Sequence, residues 1–126
     1  MRVSTIILRV SDLEAAVAFW RDLVGLELQF SSGGFAFLGA GDVQLALNRP
    51  ERHRPQKSQT EIVFEVDDIS ETFSQMRGRG VPFEVEPRAV TQSDGRVLMA
   101  AHFSDPDGHY ASITGWIGQA GANATP

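Results

Sequence analysis

The chain carries a faint echo of itself, and that echo restricts its folding more than any other feature. Residues 10–14 read Val-Ser-Asp-Leu-Glu, and residues 66–71 read Val-Asp-Asp-Ile-Ser-Glu. A short apolar run precedes each stretch: Thr5-Ile6-Ile7-Leu8 in the first case, Glu61-Ile62-Val63-Phe64 in the second. Each stretch opens a helical pattern that closes on a glycine, Gly25 or Gly80. The copies stand about 56 positions apart, near half of the 126 residues. A strand–helix–strands unit used twice predicts a pseudo-twofold molecule. Its function would lie on the positions that the two halves aim into a shared cleft.

Each copy reads as βαβββ. Residues 3–10 are β-rich, and Ser11 with Glu14 has capping-box spacing. Leu13, Ala16, Val17, Trp20, Leu23 and Val24 then form a helical stripe that ends at Gly25. Strands are expected at about 26–31, 34–39 and 42–48, with turns at Gly33-Gly34 and Gly41-Asp42. The second copy predicts a strand at about 60–66 and a helix at about 68–79, with Ile69, Phe73 and Met76 on one face. Strands at about 82–87, 96–103 and 109–116 follow. Residues 49–59 carry Pro50, Pro55 and four Lys/Arg but no aliphatic residue. They read as a solvated linker, or as a basic flap for an anionic ligand. Residues 118–126 lack core formers and read as a frayed tail. The expected class is α+β: one domain over 1–126, with module one at about 1–48 and module two at about 60–117. Curved mixed sheets would enclose a cleft, and each helix would cover the outer face of its own sheet.

Composition narrows the function classes. The net charge is −5, which disfavours nucleic acid and anionic membrane as partners. No run approaches the ~18 apolar residues of a membrane span. The absence of cysteine excludes disulfides, thiolate metal sites and a cysteine nucleophile. With no secretory pattern at the N-terminus, the expected location is cytoplasmic.

Strand alternation assigns the faces. On strand one, Ile6, Leu8 and Val10 pack under the helix while Thr5, Ile7 and Arg9 face the cavity. On strand four, Leu45 and Leu47 pack while Gln44, Ala46 and Asn48 face inward. Phe35 and Phe37 add an aromatic wall. In the second copy, Ile62, Phe64 and Val66 pack, and Glu61, Val63 and Glu65 face inward. His102 turns inward if Phe103 meets the helix. On the last strand Ile113 packs, and Tyr110, Ser112, Thr114 and Trp116 face inward. The expected ligand-binding set is Thr5, Arg9, Phe35, Phe37, Gln44, Asn48, Glu61, His102, Ser112 and Trp116. Aromatic surface with a few polar groups is the usual lining of a small-molecule pocket. The alternative is that Arg9 pairs with Glu61 or Glu65, since an inward charge needs a partner. Glu61 and His102 are the candidates for an acid–base pair. His53 falls in the linker, and His109 follows a turn.

The opening Leu8-Arg9-Val10-Ser11-Asp12-Leu13, with Phe19-Trp20 and Leu23-Val24-Gly25-Leu26, resembles that of vicinal oxygen chelate proteins. Phe103-Ser104-Asp105-Pro106-Asp107-Gly108-His109 resembles a turn common in the same superfamily. In that turn Pro106 sets φ, Asp107 can bond its own backbone and Gly108 tolerates positive φ. The superfamily includes glyoxalase I, extradiol dioxygenases, fosfomycin-modifying thiol transferases, methylmalonyl-CoA epimerase and bleomycin-binding resistance proteins. The resemblance covers about residues 3–116 and implies a homodimer. It also implies a divalent metal held by His or Glu on the first and last strands of each module. The matching positions here are Thr5, Glu61, Ser112 and either Ala46 or Gln44. Of these, Glu61 alone is a strong ligand, because neutral hydroxyls bind divalent ions poorly. The expectation is therefore no cofactor and no metal site, with Glu61 the weak candidate ligand if a metal is bound. The expected function is sequestration of a small aromatic or cationic molecule. The rival is a metal-dependent or metal-free glyoxalase- or dioxygenase-like lyase or isomerase using Glu61 and His102. A third reading is an accessory domain whose cleft is filled by Phe35, Phe37 and Trp116.

Overall fold

The computed structural model describes residues 1–51 and 59–118. They divide into two compact units: Val3–Val63, and a second that takes Met1–Arg2 and begins again at Phe64. The element order is βαβββ twice, an α+β fold. The first copy contains β1 (Arg2–Arg9), α1 (Leu13–Ala18) with a π-helical continuation (Phe19–Val24), β2 (Glu27–Ser32), β3 (Phe35–Ala40) and β4 (Val43–Asn48). The second contains β5 (Thr60–Glu65), α2 (Ile69–Gly78), β6 (Phe83–Ser93), β7 (Arg96–Ser104) and β8 (Tyr110–Ile117). The basic linker's residues 52–58, His53 among them, and the tail's residues 119–126 lie outside the described residues.

The echo proves to be a repeated helix cap. The Asp12 carboxylate accepts from the Ala15 amide at 3.0 Å, and the Asp68 carboxylate accepts from the Glu71 amide at 3.0 Å. The two caps share extended backbone, with φ −130° and −129°. Such a bond satisfies one of the amides that a helix start leaves without a partner. The cap is thus Asp12, not Ser11: the helix starts one residue later than the capping-box spacing suggests.

In the first unit the strands run β2-β3-β4-β1, with β1 parallel to β4 and the other pairs antiparallel. Ala36, Leu38 and Leu47 are fully buried. Leu8, Leu13, Ala16, Val17, Trp20 and Leu26 pack around them. The expected helical stripe holds only as far as Trp20. The Gly25 amide donates to the Trp20 carbonyl at 3.1 Å, an i→i−5 bond. The wider turn takes one more residue, so Leu23 is rotated out of the core and is 77% exposed. Leu26, beyond the glycine, returns to the core instead.

In the second unit β7 pairs with both β6 and β8, all antiparallel. Helix α2 buries Ile69, Phe73 and Met76 against Ala101 and Ile113. Strand β6 is 11 residues long, well beyond the expected 82–87. Its extra length folds back through Asp94 (φ 53°) and Gly95 (φ 75°), an Asp-Gly hairpin turn that was legible in the sequence. Pro87 is tolerated because β6 is an outer strand and its ladder with β7 is irregular between Val85 and Arg88. Ile62, expected to pack, is 39% exposed. The turn before β8 is tied by Asp105 rather than Asp107. One Asp105 oxygen accepts from the backbone amides of Asp107 at 3.0 Å and His109 at 2.8 Å, and the other meets His109 Nδ1 at 2.8 Å.

Candidate functional site

The first unit has one apolar face under its helix and a mixed face on the other side. Cross-strand partners share a face. Thr5 opposes Gln44, Ile7 opposes Ala46 and Arg9 opposes Asn48 across β1 and β4. Phe35 opposes Asn48, and Phe37 opposes Ala46, across β3 and β4. Six of the expected ligand-binding residues, Thr5, Arg9, Phe35, Phe37, Gln44 and Asn48, therefore lie on one surface. Phe35 and Phe37 stack with centroids 5.6 Å apart and planes 8° from parallel. Phe30 extends them, 6.0 Å from Phe37, and is 59% exposed. The sequence reading missed Phe30, whose facing depends on an irregularity in β2 between Leu28 and Phe30.

Arg9 and Glu61 form an ion pair at 3.0 Å, with side chains 12% and 6% exposed. Alternation allows Arg9 to meet Glu61 or Glu65, and the structure selects Glu61, with Glu65 meeting Arg2 instead. Burial makes the contact necessary, because a charge withdrawn from water requires a partner.

In the second unit, His102 opposes Ser112 and Leu98 opposes Trp116 across β7 and β8. The other face of the same strands carries Ala101 and Ile113 in the helix-covered core. The His102 ring stacks on Tyr110, with centroids 5.4 Å apart and planes 6° from parallel. Ser112 is buried, 1% exposed, and the Arg96 guanidinium lies 5.0 Å over the Trp116 ring. His109 is exposed, and Asp105 raises its pKa above the ordinary 6.5 through a side-chain hydrogen bond and its charge. The Asp105 carboxyl is correspondingly lowered, chiefly by the His109 backbone amide.

A groove of about 920 Å³ lies beside the first unit's mixed face, lined by Arg9, Ser11, Asp12, Arg49, Glu51 and Gln59 among others. Arg9 in that lining is paired with Glu61, and Arg49, Asp12 and Glu51 supply its other charges.

The family model described as Glyoxalase/Bleomycin resistance protein/Dioxygenase superfamily matches residues 2–113. The chain belongs to this superfamily. It is 30% identical over 110 residues to the metallothiol transferase FosB of Lysinibacillus sphaericus, covering 85% of this chain and 77% of that one. It is 34% identical over 106 residues to the glutathione transferase FosA of Serratia marcescens, covering 81% and 72%. Among solved structures, a superfamily member from Vibrio splendidus matches with a TM-score of 0.74 at 18% identity, covering 92% of this chain and 98% of that one. Methylmalonyl-CoA epimerase of Streptomyces coelicolor matches with a TM-score of 0.72 at 22% identity, covering 91% and 94%. These structural likenesses concern the fold.

Superfamily membership implies a divalent metal, and the donors at the matching positions do not fit one. Thr5 offers a neutral hydroxyl and Ala46 a methyl group. Gln44 offers a neutral amide carbonyl, and its amide nitrogen donates to Gln29 at 2.8 Å. The Glu61 carboxylate already accepts from the Arg9 guanidinium at 3.0 Å, so a cation would compete with a tethered one. Ser112, in the second unit, is again a neutral hydroxyl. Divalent ions in such sites need carboxylates or imidazoles. Among the described residues no group of three or more His, Cys, Asp or Glu side chains could hold an ion. Nor is any helix among them long and apolar enough to cross a membrane.

Proposed function

We propose that this chain binds a small planar aromatic molecule and sequesters it without a metal. The observation that carries the reading is the mixed face of the first unit. A stacked Phe35–Phe37 pair, extended by Phe30, lies beside the hydrogen-bonding groups of Thr5, Gln44 and Asn48. Ring stacking supplies affinity and the polar groups supply orientation. The Arg9–Glu61 pair supports the metal-free half of the reading, because it neutralises the one carboxylate that the superfamily pattern would give to an ion. On the second unit, taken by itself, His102, Ser112 and Trp116 would offer a ligand a separate set of contacts. Superfamily kinship further supports a homodimer, which light scattering tests directly.

Kinship with proteins named as thiol transferases favours a second reading, an enzyme that uses Glu61 and His102 with or without an ion. One experiment separates the two. Elemental analysis of the purified protein is followed by calorimetry with Zn²⁺, Ni²⁺, Mn²⁺ and Fe²⁺, and by thermal shift with planar aromatic compounds. Sequestration predicts no stoichiometric metal, and aromatic stabilisation that weakens in Phe35→Ala and Phe37→Ala. Tight metal binding lost in Glu61→Ala would replace it with the enzyme reading.

A further inference from the structure

One residue on the mixed face is placed by a backbone irregularity rather than by alternation. The β2–β3 register slips between Leu28 and Phe30, leaving Gln29 as a bulge. A bulge re-aims its side chain. Here the Gln29 amide lies over Gly39. A Cβ at Gly39 would meet Gln29 Nε2 at 2.7 Å and Cδ at 3.2 Å, so a side chain there displaces the amide from this position. The Gln29 carbonyl then accepts from Gln44 Nε2 at 2.8 Å. Gln44 opposes Gly39 on one side and Thr5 on the other. A polar row therefore crosses four strands: Gln29, Gly39, Gln44, Thr5. The next row, two residues or about 6.8 Å along the strands, is apolar: Phe30, Phe37, Ala46, Ile7.

We propose that the Gln29–Gln44 amide pair reads the polar edge of the ligand, and that this edge is an uncharged carboxamide or lactam attached to the aromatic ring. The inference rests on the aromatic-face reading above and names its ligand class. An amide side chain has two donor hydrogens and a carbonyl acceptor. The one bond between the pair uses a Gln44 hydrogen and the Gln29 carbonyl, so the pair still offers the Gln29 amide hydrogens as donors and the Gln44 carbonyl as an acceptor. A carboxamide edge complements both. A carboxylate offers the Gln44 carbonyl no hydrogen, and it meets Glu27, which also opposes Gly39 on the β2 rim. An ammonium offers the Gln29 amide no acceptor. The Arg9 guanidinium, which would favour an anion, is committed to Glu61.

The test uses the full chain and three probes of one shape: 2-naphthamide, 2-acetonaphthone and 2-naphthoate, titrated by calorimetry. 2-Naphthamide should bind about tenfold tighter than the other two, the size expected of one or two neutral hydrogen bonds. In Gln44→Leu the preference over 2-acetonaphthone disappears, because only the carboxamide has an N–H for the Gln44 carbonyl; in Gln29→Ala 2-naphthamide and 2-acetonaphthone both weaken, by about two- to tenfold, because both carbonyls lose the same neutral donor. Gly39→Ala should reproduce the effect, and should add nothing in the Gln29→Ala background, because it acts by displacing that amide. A preference over 2-acetonaphthone that persists in Gln44→Leu overturns the proposal, as does a preference for 2-naphthoate. If all three probes bind equally and all weaken in Phe37→Ala, the aromatic face stands and the amide assignment fails. If none binds, both readings fall.

Discussion

Arg9→Met is the most demanding perturbation of this structure. The Arg9–Glu61 contact is 3.0 Å between side chains that are 12% and 6% exposed. At an effective dielectric constant of ~20, Coulomb's law gives about 5 kcal/mol of attraction at that distance. Both ions also lost hydration to reach it, so the pair contributes far less than this net. Removing one partner is a different matter, because the buried carboxylate stays behind without its guanidinium. Breaking such a pair costs about 3–5 kcal/mol, against 0–1 for an exposed one. Urea denaturation at pH 7, followed by circular dichroism and tryptophan fluorescence, should therefore show a loss of about 3 kcal/mol or more in Arg9→Met. The deficit should shrink at pH 5. A buried carboxylate without its cation binds a proton more readily folded than unfolded, so the variant gains stability as pH falls. Replacing both residues, Arg9→Met with Glu61→Met, should restore stability to within about 1 kcal/mol, since apolar substitution of a whole buried pair is often neutral. A loss under about 1 kcal/mol in the single variant would refute the reasoning, as would a double variant no better than the single.

Other consequences are more local. Asp12→Ala and Asp68→Ala should each lower stability by about 1 kcal/mol in the same assay, and Ser11→Ala should leave it unchanged; the reverse pattern would move the first cap to Ser11. Gly115→Val should destabilise strongly, because even a Cβ there meets Ile69 Cβ at 3.1 Å and the Val66 carbonyl at 3.2 Å. The His109 imidazole, followed by NMR, should titrate above 6.5 and fall back in Asp105→Asn. Its raised pKa means that its contribution is complete below the unfolded value and is lost as pH rises through the folded one. The lowered Asp105 pKa works in the opposite sense, and that contribution is lost as pH falls. A titration unchanged in Asp105→Asn would contradict the staple.

Sequence alone was enough to reveal the double βαβββ order and the helix-covered face of each sheet. Both rest on local pattern: alternation in strands, a 3.6-residue stripe in α2, and the repeated Val-Ser-Asp and Val-Asp-Asp segments before the two helices. The same alternation put Thr5, Arg9, Gln44, Asn48, Phe35 and Phe37 on the side away from the helix. It did so correctly because register partners on neighbouring strands must share a face. Where periodicity breaks, sequence reading breaks with it. The π turn after Trp20 sends Leu23 to solvent although its spacing fits the stripe. The bulge at Gln29 moves Phe30 and Gln29 onto the mixed face although strict alternation cannot place both. Whether Arg9 would meet Glu61 or Glu65 was undecided from sequence, since both carboxylates have the right parity and strand register chooses between them. Charge and spacing are properties of the chain, but bulges, helical pitch changes and ion pairing are settled by packing between strands distant in sequence. The ligand edge inferred here, the Gln29–Gln44 amide pair over Gly39, exists only at that level.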